Sequence, residues 1–469
     1  MVFSVRGVTV ERKPQFKSDG VYHATINGHR FHLRRKDPIK DNFLWIDGQQ
    51  PPLVLDQTAA EFVTHLIDAM WLYQQGDGDE SDAVVNYVVT KMSQKYVKRF
   101  ALGSRLVTRE RIMADLNRIF GTLMSIAEGA CPLEAGLDSK EITYGKWIAP
   151  ARMDLAITYR CNLGCQKCYV GDKKINQELS AKEWLKVYEI LWKVGIPQVV
   201  FTGGEPTLRE DIVELINEAH EFVTGLVTNG TRLNELAEKL RGASLDYAQV
   251  TVESWDSATH DAITCVSGSH HRTTSGLRKA LGVGLQVVTN TTLSKINAGG
   301  FTQTIQWLHD LGIKHVACNT LICSGAGISH KKENGLSDDE LKKVLLQACE
   351  TAERLGVNFQ WYSPTCYHQG VNPIDLGFGI KSCSAATHNM TIQPDGTVLP
   401  CQSWPESVGN ILKDDWASIW QHPTCVKLRK HLFIPEECHG CEYEESCGGG
   451  CPLDNAARKR NQAEKEGTE

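Results

Sequence analysis

Three cysteines, Cys161, Cys165 and Cys168, sit close together in "RCNLGCQKCY". Thiolates bind soft metals, and a closed structural site takes four protein ligands, so three leave one corner open. Further along, "FTGGEPTLR" places Gly203 and Gly204 where the backbone can approach a ligand closely, and Glu205 where a carboxylate can accept from an amine. The C-terminal part has its own sulfur pattern. "CSAATHNMTIQPDGTVLPC" spaces Cys383, Gly396 and Cys401, and "CHGCEYEESCGGGC" carries Cys438, Cys441, Cys447 and Cys451. Cysteines this dense need a metal to hold them, zinc being the generic alternative to iron–sulfur.

The chain has 469 residues, 16 cysteines and a net charge of -6. That length implies two or three domains, and the charge gives no basic field for nucleic acid. There is no apolar run of about 18 residues, so no membrane span is expected. The opening "MVFSVRGVTVERKPQF" lacks the apolar core and cleavage site of a signal peptide. A cytoplasmic protein is expected, and in that compartment clustered cysteines read as metal sites, not disulfides. Cys131, Cys265, Cys318, Cys323, Cys349 and Cys425 stand apart and read as small buried apolar residues. His270 and His271 read as a polar loop.

The elements that must position these groups follow from periodicity. Residues 145–340 alternate short β-branched strands ("ARMDLAITYRC", "IPQVVFTGGEP", "GLVTNGT", "DYAQVTVES", "LQVVTNTTL", "IKHVACNTLI") with helical segments such as "LSAKEWLKVYEILWKVG". That alternation predicts an α/β domain with a parallel sheet, open or curled into a partial barrel. Ligands bind such sheets at the C-terminal ends of the strands, where Cys161, Gly203, Asn229 and Glu253 all fall. Residues 341–469 form a cysteine-rich region with a hairpin signal at Asp395-Gly396. Residues 1–140 read as strands, including a hairpin around Asn27-Gly28, followed by three helices, the first capped by Asp56 or Thr58.

"CNLGCQKCY" followed by "TGGEPTLR" resembles the radical S-adenosylmethionine (SAM) family. The resemblance implies a partial (β/α)6 TIM-like barrel and a 4Fe–4S cluster on Cys161, Cys165 and Cys168. Its open iron would chelate SAM, whose reductive cleavage gives a 5′-deoxyadenosyl radical. Tyr169 would pack beside the cluster, and Gly203, Gly204 and Glu205 would contact the methionine amine. Asn229 lies where the third strand approaches SAM, and Glu253 and Ser254 where a polar residue meets the ribose. The family's common strand end carries Asp where this chain has Glu253. Asn290 and Thr292 are further candidates.

The tail resembles the SPASM extension of that family, which implies one or two auxiliary 4Fe–4S clusters. Cys383, Cys401 and Cys451 would serve the first, with Cys366 from "SPTCYHQG" as fourth ligand, and Cys438, Cys441 and Cys447 the second. The family usually has one more cysteine after the position of Cys451, and residues 452–469 contain none. The second cluster would then have an open corner, a ligand such as Asp454, or incomplete occupancy. The N-terminal part resembles a winged-helix-like peptide-recognition domain that takes up a leader segment by strand addition, the hairpin around Asn27-Gly28 offering an edge.

Together these resemblances imply an enzyme that modifies a side chain of a ribosomally made peptide or protein, by a thioether or carbon–carbon crosslink. Epimerisation, with Cys265, Cys318 or Cys323 as hydrogen donor, and formylglycine formation in sulfatases are the enzymatic alternatives. A non-catalytic electron-transfer protein is the alternative of another class. A reducing partner such as flavodoxin or ferredoxin is implied.

Overall fold

The computed structural model describes residues 8–9, 21–26, 29–34, 42–46, 53–73, 81–96, 109–128, 130, 148–171, 175, 177–368 and 370–466. Cys131 and the Asn27-Gly28 dipeptide lie outside the described residues. The chain divides into two compact units, Met1–Thr143 and Tyr144–Glu469.

In the first unit, β1 (Val8–Thr9), β2 (Val21–Ile26), β3 (His29–Arg34), β4 (Asn42–Ile46) and β5 (Leu53–Leu55) pair antiparallel in sequence order. The β2–β3 ladder closes at Ile26 opposite His29, as a hairpin through Asn27-Gly28 requires. Both strands are interior, however, so the edges of this sheet are β1 and β5, not that hairpin. Three helices follow: α1 (Gln57–Tyr73), α2 (Ser81–Tyr96) and α3 (Arg109–Ala127). Asp56 is the cap of α1, its Oδ1 accepting the Ala59 N–H at 2.7 Å. Phe62, Leu66, Ile67 and Met70 of α1, Val84 and Val88 of α2 and Leu33 and Leu44 of the sheet share one core.

The second unit begins with β6 (Arg152–Thr158), α4 (Ala181–Lys193), β7 (Gln198–Gly203), α5 (Ile212–Glu218), β8 (Val223–Thr228) and α6 (Leu233–Gly242). It continues through β9 (Tyr247–Thr251), α7 (Ser257–Thr264), α8 (Ser269–Gly282), β10 (Val287–Leu293), α9 (Phe301–Asp310) and β11 (His315–Thr320). Then come α10 (Gly327–Asn334), α11 (Asp338–Leu355) and β12 (Asn358–Trp361). Strands β6 to β12 lie side by side in order and all parallel. The strand–helix alternation thus runs past residue 340 and adds a seventh parallel strand to the six expected.

The local reasons are visible in α4. Ser180 caps it and Glu183 closes a capping box, while Trp184, Val187, Tyr188 and Leu191 recur at helical spacing and are buried. They pack on Met153, Leu155, Ile157, Val199 and Phe201, the alternate residues of β6 and β7. Each such side chain contributes about 1.5–3 kcal/mol through burial.

The cysteine-rich region does not form a sheet of its own. Its β13 (Asn389–Ile392) pairs parallel with β6, and β14 (Thr397–Leu399) and β15 (Gly409–Asn410) extend the sheet antiparallel. The β13–β14 hairpin turns at Asp395-Gly396 as expected, with Gly396 at φ +86°. The ten-stranded sheet therefore ends on β12 and β15 and does not close. Four helices complete the unit: α12 (Trp416–Trp420), α13 (Pro423–Arg429), α14 (Glu444–Cys447) and α15 (Pro452–Glu466). No helix among the described residues is long and apolar enough to cross a membrane.

Candidate active site

The loop after β6 carries Cys161, Cys165 and Cys168 and is held at both ends. The Gly164 N–H donates to Thr264 O at 3.0 Å, at the end of α7. The Ala326 N–H donates to Cys168 O at 3.0 Å, from the loop after β11. Between them the Cys168 N–H donates to Cys165 O at 3.1 Å, closing a turn. Cys161 is exposed, and Cys165 and Cys168 are half-buried. Burial, and then the neighbouring carboxylate and thiols, raises Cys161; burial pushes Cys165 up to about 12, with Lys167 opposing. The three sulfurs lie within electrostatic reach of one another. Among the described residues no three His, Cys, Asp or Glu side chains converge as ligands of a single metal ion.

The end of β7 crosses beneath this loop. Tyr169 Oη donates to Gly203 O at 3.0 Å. A Cβ on Gly203 would stand 2.1 Å from Thr158 O, and one on Gly204 would stand 2.4 Å from Arg160 O. Only glycine permits this approach, and Gly203 at φ +131° has a conformation that side chains disfavour.

Glu205, expected to accept from an amine, is also tied within the protein. It is fully buried. Its Oε1 accepts from the Thr207 N–H (3.1 Å), Thr207 Oγ1 (2.5 Å) and Thr228 Oγ1 (2.7 Å). Its Oε2 accepts from the Asn229 N–H at 2.7 Å. Three of these donors converge on Oε1 and one on Oε2, which keeps a lone-pair site for a further donor. Burial raises its pKa and these donors oppose the rise. Glu205 is thus an internal brace tying the ends of β7 and β8.

Asn229 touches the cysteine loop directly: its Nδ2 donates to Asn162 Oδ1 at 2.8 Å, and Asn162 Nδ2 donates to Thr231 Oγ1 at 2.9 Å. Glu253, just beyond β9, is 1% exposed. Lys167 Nζ stands 2.5 Å from its Oε1, a charge pair without hydrogen-bond alignment, and Oε2 has no hydrogen-bond partner. Its backbone is fixed on both sides: the N–H donates to His260 Nδ1 (3.3 Å) and the carbonyl accepts from Asn297 Nδ2 (2.9 Å). Ser254 is buried, its Oγ accepting the Asp256 N–H at 3.1 Å at the start of α7. Asn290 sits within β10, level with Thr251; its Nδ2 donates to Asn319 Oδ1 at 2.8 Å and its own Oδ1 is unpartnered. Thr292 Oγ1 reaches the same Asn319 oxygen at 3.4 Å.

Lys167 and Asn162 were not singled out by sequence reasoning. Their signal was their place inside the cysteine motif, where a side chain flanked by ligands has few directions to take. His270 proves helical, opening α8 with its ring 5.3 Å from those of His260 and Trp307. Cys318 and Cys425 are buried as expected. Cys323 and Cys349 are only half-buried, and Cys265 is exposed because it caps the C-terminus of α7 in the left-handed conformation.

The tail thiols form two groups. Cys451 is raised by burial and then by Asp454, Cys383 and Cys401; burial pushes Cys401 up to about 12. Cys438 is pushed up to about 11 by burial, then by Cys366, Glu437, Cys447 and Cys441. Cys366 lies within electrostatic reach of Cys438 and Cys447, and Asp454 of Cys451.

Residues 155–308 match the radical SAM superfamily, and residues 383–442 match the SPASM iron–sulfur cluster-binding domain. The chain carries a radical SAM domain and a SPASM domain. Such domains imply a 4Fe–4S cluster with SAM and auxiliary iron–sulfur clusters. Among its relatives is a PqqA peptide cyclase of Granulibacter bethesdensis, 26% identical over 308 residues, covering 63% of this chain and 80% of that one. A PqqA peptide cyclase of Xanthomonas campestris is 26% identical over 317 residues, covering 64% and 82%. Streptococcus suis SuiB, solved with its precursor peptide SuiA, shares the fold at TM-score 0.58 and 16% identity, covering 88% of this chain and 92% of that one. The radical SAM residues fit their cofactors: a loop of three thiols with an exposed Cys161 faces strand ends that carry an unpartnered buried carboxylate oxygen.

Proposed function

We propose that this radical SAM enzyme crosslinks a side chain of a ribosomally made peptide, forming a thioether or a carbon–carbon bond. The observation that carries the reading is the pairing of β13 with β6, which seats the segment between Cys383 and Cys401 beside the strand leading into Cys161. A crosslink removes two hydrogens from the substrate, and a second redox centre beside the first gives the remaining electron a place to go. The names of the relatives, PqqA peptide cyclase and SuiB with its precursor peptide, support a peptide substrate.

The residues divide as follows. Cys161, Cys165 and Cys168 would hold a 4Fe–4S cluster, which with SAM would supply the 5′-deoxyadenosyl radical for hydrogen-atom abstraction. Gly203 and Gly204 bring backbone close to the methionine end of SAM, and Tyr169 fixes the Gly203 carbonyl. Glu205 holds the Thr228-Asn229 backbone in place. Glu253, oriented by Lys167 and His260, offers its free Oε2 to a ribose hydroxyl, with Ser254 shaping the turn behind it. Asn290 presents its unpartnered carbonyl oxygen to the substrate. Cys366, Cys383, Cys401, Cys438, Cys441, Cys447 and Cys451 bind the auxiliary clusters. The winged-helix-like N-terminal unit receives the leader segment on a sheet edge, β1 or β5. A flavodoxin or ferredoxin supplies electrons, in the cytoplasm.

The test is anaerobic incubation of reconstituted enzyme with SAM, reductant and candidate precursor peptides, read by mass spectrometry. A product lighter by two hydrogens, with stoichiometric 5′-deoxyadenosine, is expected. A product of unchanged mass that takes up deuterium from solvent would instead establish epimerisation.

A further inference from the structure

The loop after β11 reads "CSGAG", Cys323 to Gly327, and leads into α10. It touches the cluster loop on one side and the cysteine-rich tail on the other. We propose that this loop and α10 act as a clasp that fixes the loop of Cys161, Cys165 and Cys168 to the C-terminal region, with Ser324, Gly325 and Lys331 as positioning residues of the SAM site. The clasp acts in the same way whichever substrate the enzyme modifies.

On the cluster side the two loops meet backbone to backbone. The Ala326 N–H donates to Cys168 O at 3.0 Å. A Cβ on Gly325 would stand 2.6 Å from Tyr169 O and 2.7 Å from Cys168 O, and Gly325 has φ +54°, so a side chain there is both crowded and strained. A Cβ on Gly171 would in turn stand 3.1 Å from Gly325 Cα. The contact therefore runs from the third thiol of the motif to Gly171. Those residues belong to no helix or strand, so their geometry is set by what they pack against. Outer contacts of this kind orient the groups that bind a metal.

On the tail side the clasp grips two places. Ser324 Oγ donates to Ser403 O at 3.0 Å, two residues beyond Cys401, and both serines are buried. Lys331 Nζ on α10 pairs with Asp454 Oδ2 at 2.8 Å, three residues beyond Cys451. The far end of α10 is tied to the barrel, where the Lys295 N–H donates to Asn334 O at 2.9 Å. Ser324 and Ala326 are separated by at most about 7 Å of chain. A displacement of Ser403 thus reaches the Cys168 carbonyl through two hydrogen bonds and one short stretch of backbone. A buried carbonyl that loses its donor is costly, so the Ser324 bond is not given up freely.

The test uses full-length reconstituted enzyme, with amide hydrogen exchange read by mass spectrometry and SAM affinity by equilibrium dialysis. Ser324→Ala strands the buried Ser403 carbonyl. Exchange should then rise by about five- to a hundredfold both around residues 400–404 and in the loop at residues 161–171, with SAM bound more weakly. Ser324→Thr keeps the hydroxyl and should restore all three readouts. Gly325→Ala pushes on the cluster loop directly and should weaken SAM binding as well. Lys331→Met breaks a partly exposed pair and should speed exchange of the cluster loop by a smaller factor, about two- to fivefold. Faster exchange confined to residues 400–404 in Ser324→Ala, with the cluster loop and SAM affinity unmoved, would overturn the clasp. So would an equal rise in α4, which would mean a general loosening of the barrel. Should Ser324→Ala not fold, Lys331→Met decides by the same readouts, an unmoved cluster loop again overturning the proposal.

Discussion

Lys167→Met is a sharp test of the site geometry. Lys167 sits between two cluster cysteines and its ammonium lies 2.5 Å from Glu253, with the two side chains 11% and 0% exposed. Removing one partner of a buried pair leaves an uncompensated charge and costs about 3–5 kcal/mol, whereas removing both is nearly neutral. At about 1.4 kcal/mol per decade, the single variant should speed amide hydrogen exchange of the loop at residues 161–171 by roughly two to four orders of magnitude. Glu253→Gln added to Lys167→Met should recover most of the loss, because the amide carries no charge to strand. Hydrogen exchange read by mass spectrometry on the reconstituted enzyme resolves the loop as its own peptide. SAM affinity, measured in parallel, should fall with Lys167→Met and stay low in the double variant, since the ribose-facing oxygen is altered there. A double variant whose loop exchange is the sum of the two single effects would show that the pair is not coupled, and the reasoning would fail.

Other outcomes follow from the same geometry. Replacing Cys161, Cys165 and Cys168 together with Ala should abolish 5′-deoxyadenosine formation while auxiliary iron stays bound; continued SAM cleavage would refute the cluster assignment. Fully reconstituted enzyme should hold about twelve irons per chain, and a preparation dominated by zinc after anaerobic purification would contradict it. Because burial pushes Cys165 up to about 12, its thiol is protonated in the metal-free protein at neutral pH, and iron must displace that proton. Apparent iron affinity at this loop should therefore rise with pH between 6 and 9, and a flat profile in a chelator competition would count against it. Deleting residues 1–135 should weaken precursor-peptide binding by tenfold to several thousandfold, the worth of roughly three or four main-chain hydrogen bonds, while SAM cleavage persists. Fluorescent-peptide titration of the soluble truncate checks this, and unchanged affinity would remove the leader-binding role.

Which parts of this were open to inspection in the sequence depends on whether a property is local. Cys161, Cys165 and Cys168 sit on one short loop, so chain connectivity alone keeps their sulfurs together. The amphipathic helix α4, the Asp395-Gly396 turn and the alternation of β-branched runs with helices likewise rest on neighbouring residues, and each was found where expected. Tertiary structure decided the contacts between distant segments. No periodicity indicates that β13 will dock in parallel beside β6, or that β12 will extend the sheet to a seventh parallel strand. Nothing local in the sequence shows that Thr228 and the Asn229 N–H will each donate to Glu205, because that contact forms only when β8 lies beside β7. Lys167 reads as a spacer until Glu253 arrives from the end of β9 to pair with it. In each case the residue type was written in the chain, but its partner was chosen by which backbone the parallel sheet and its crossovers carried into hydrogen-bonding or electrostatic range, and that range is a few ångströms in space whatever the separation in sequence.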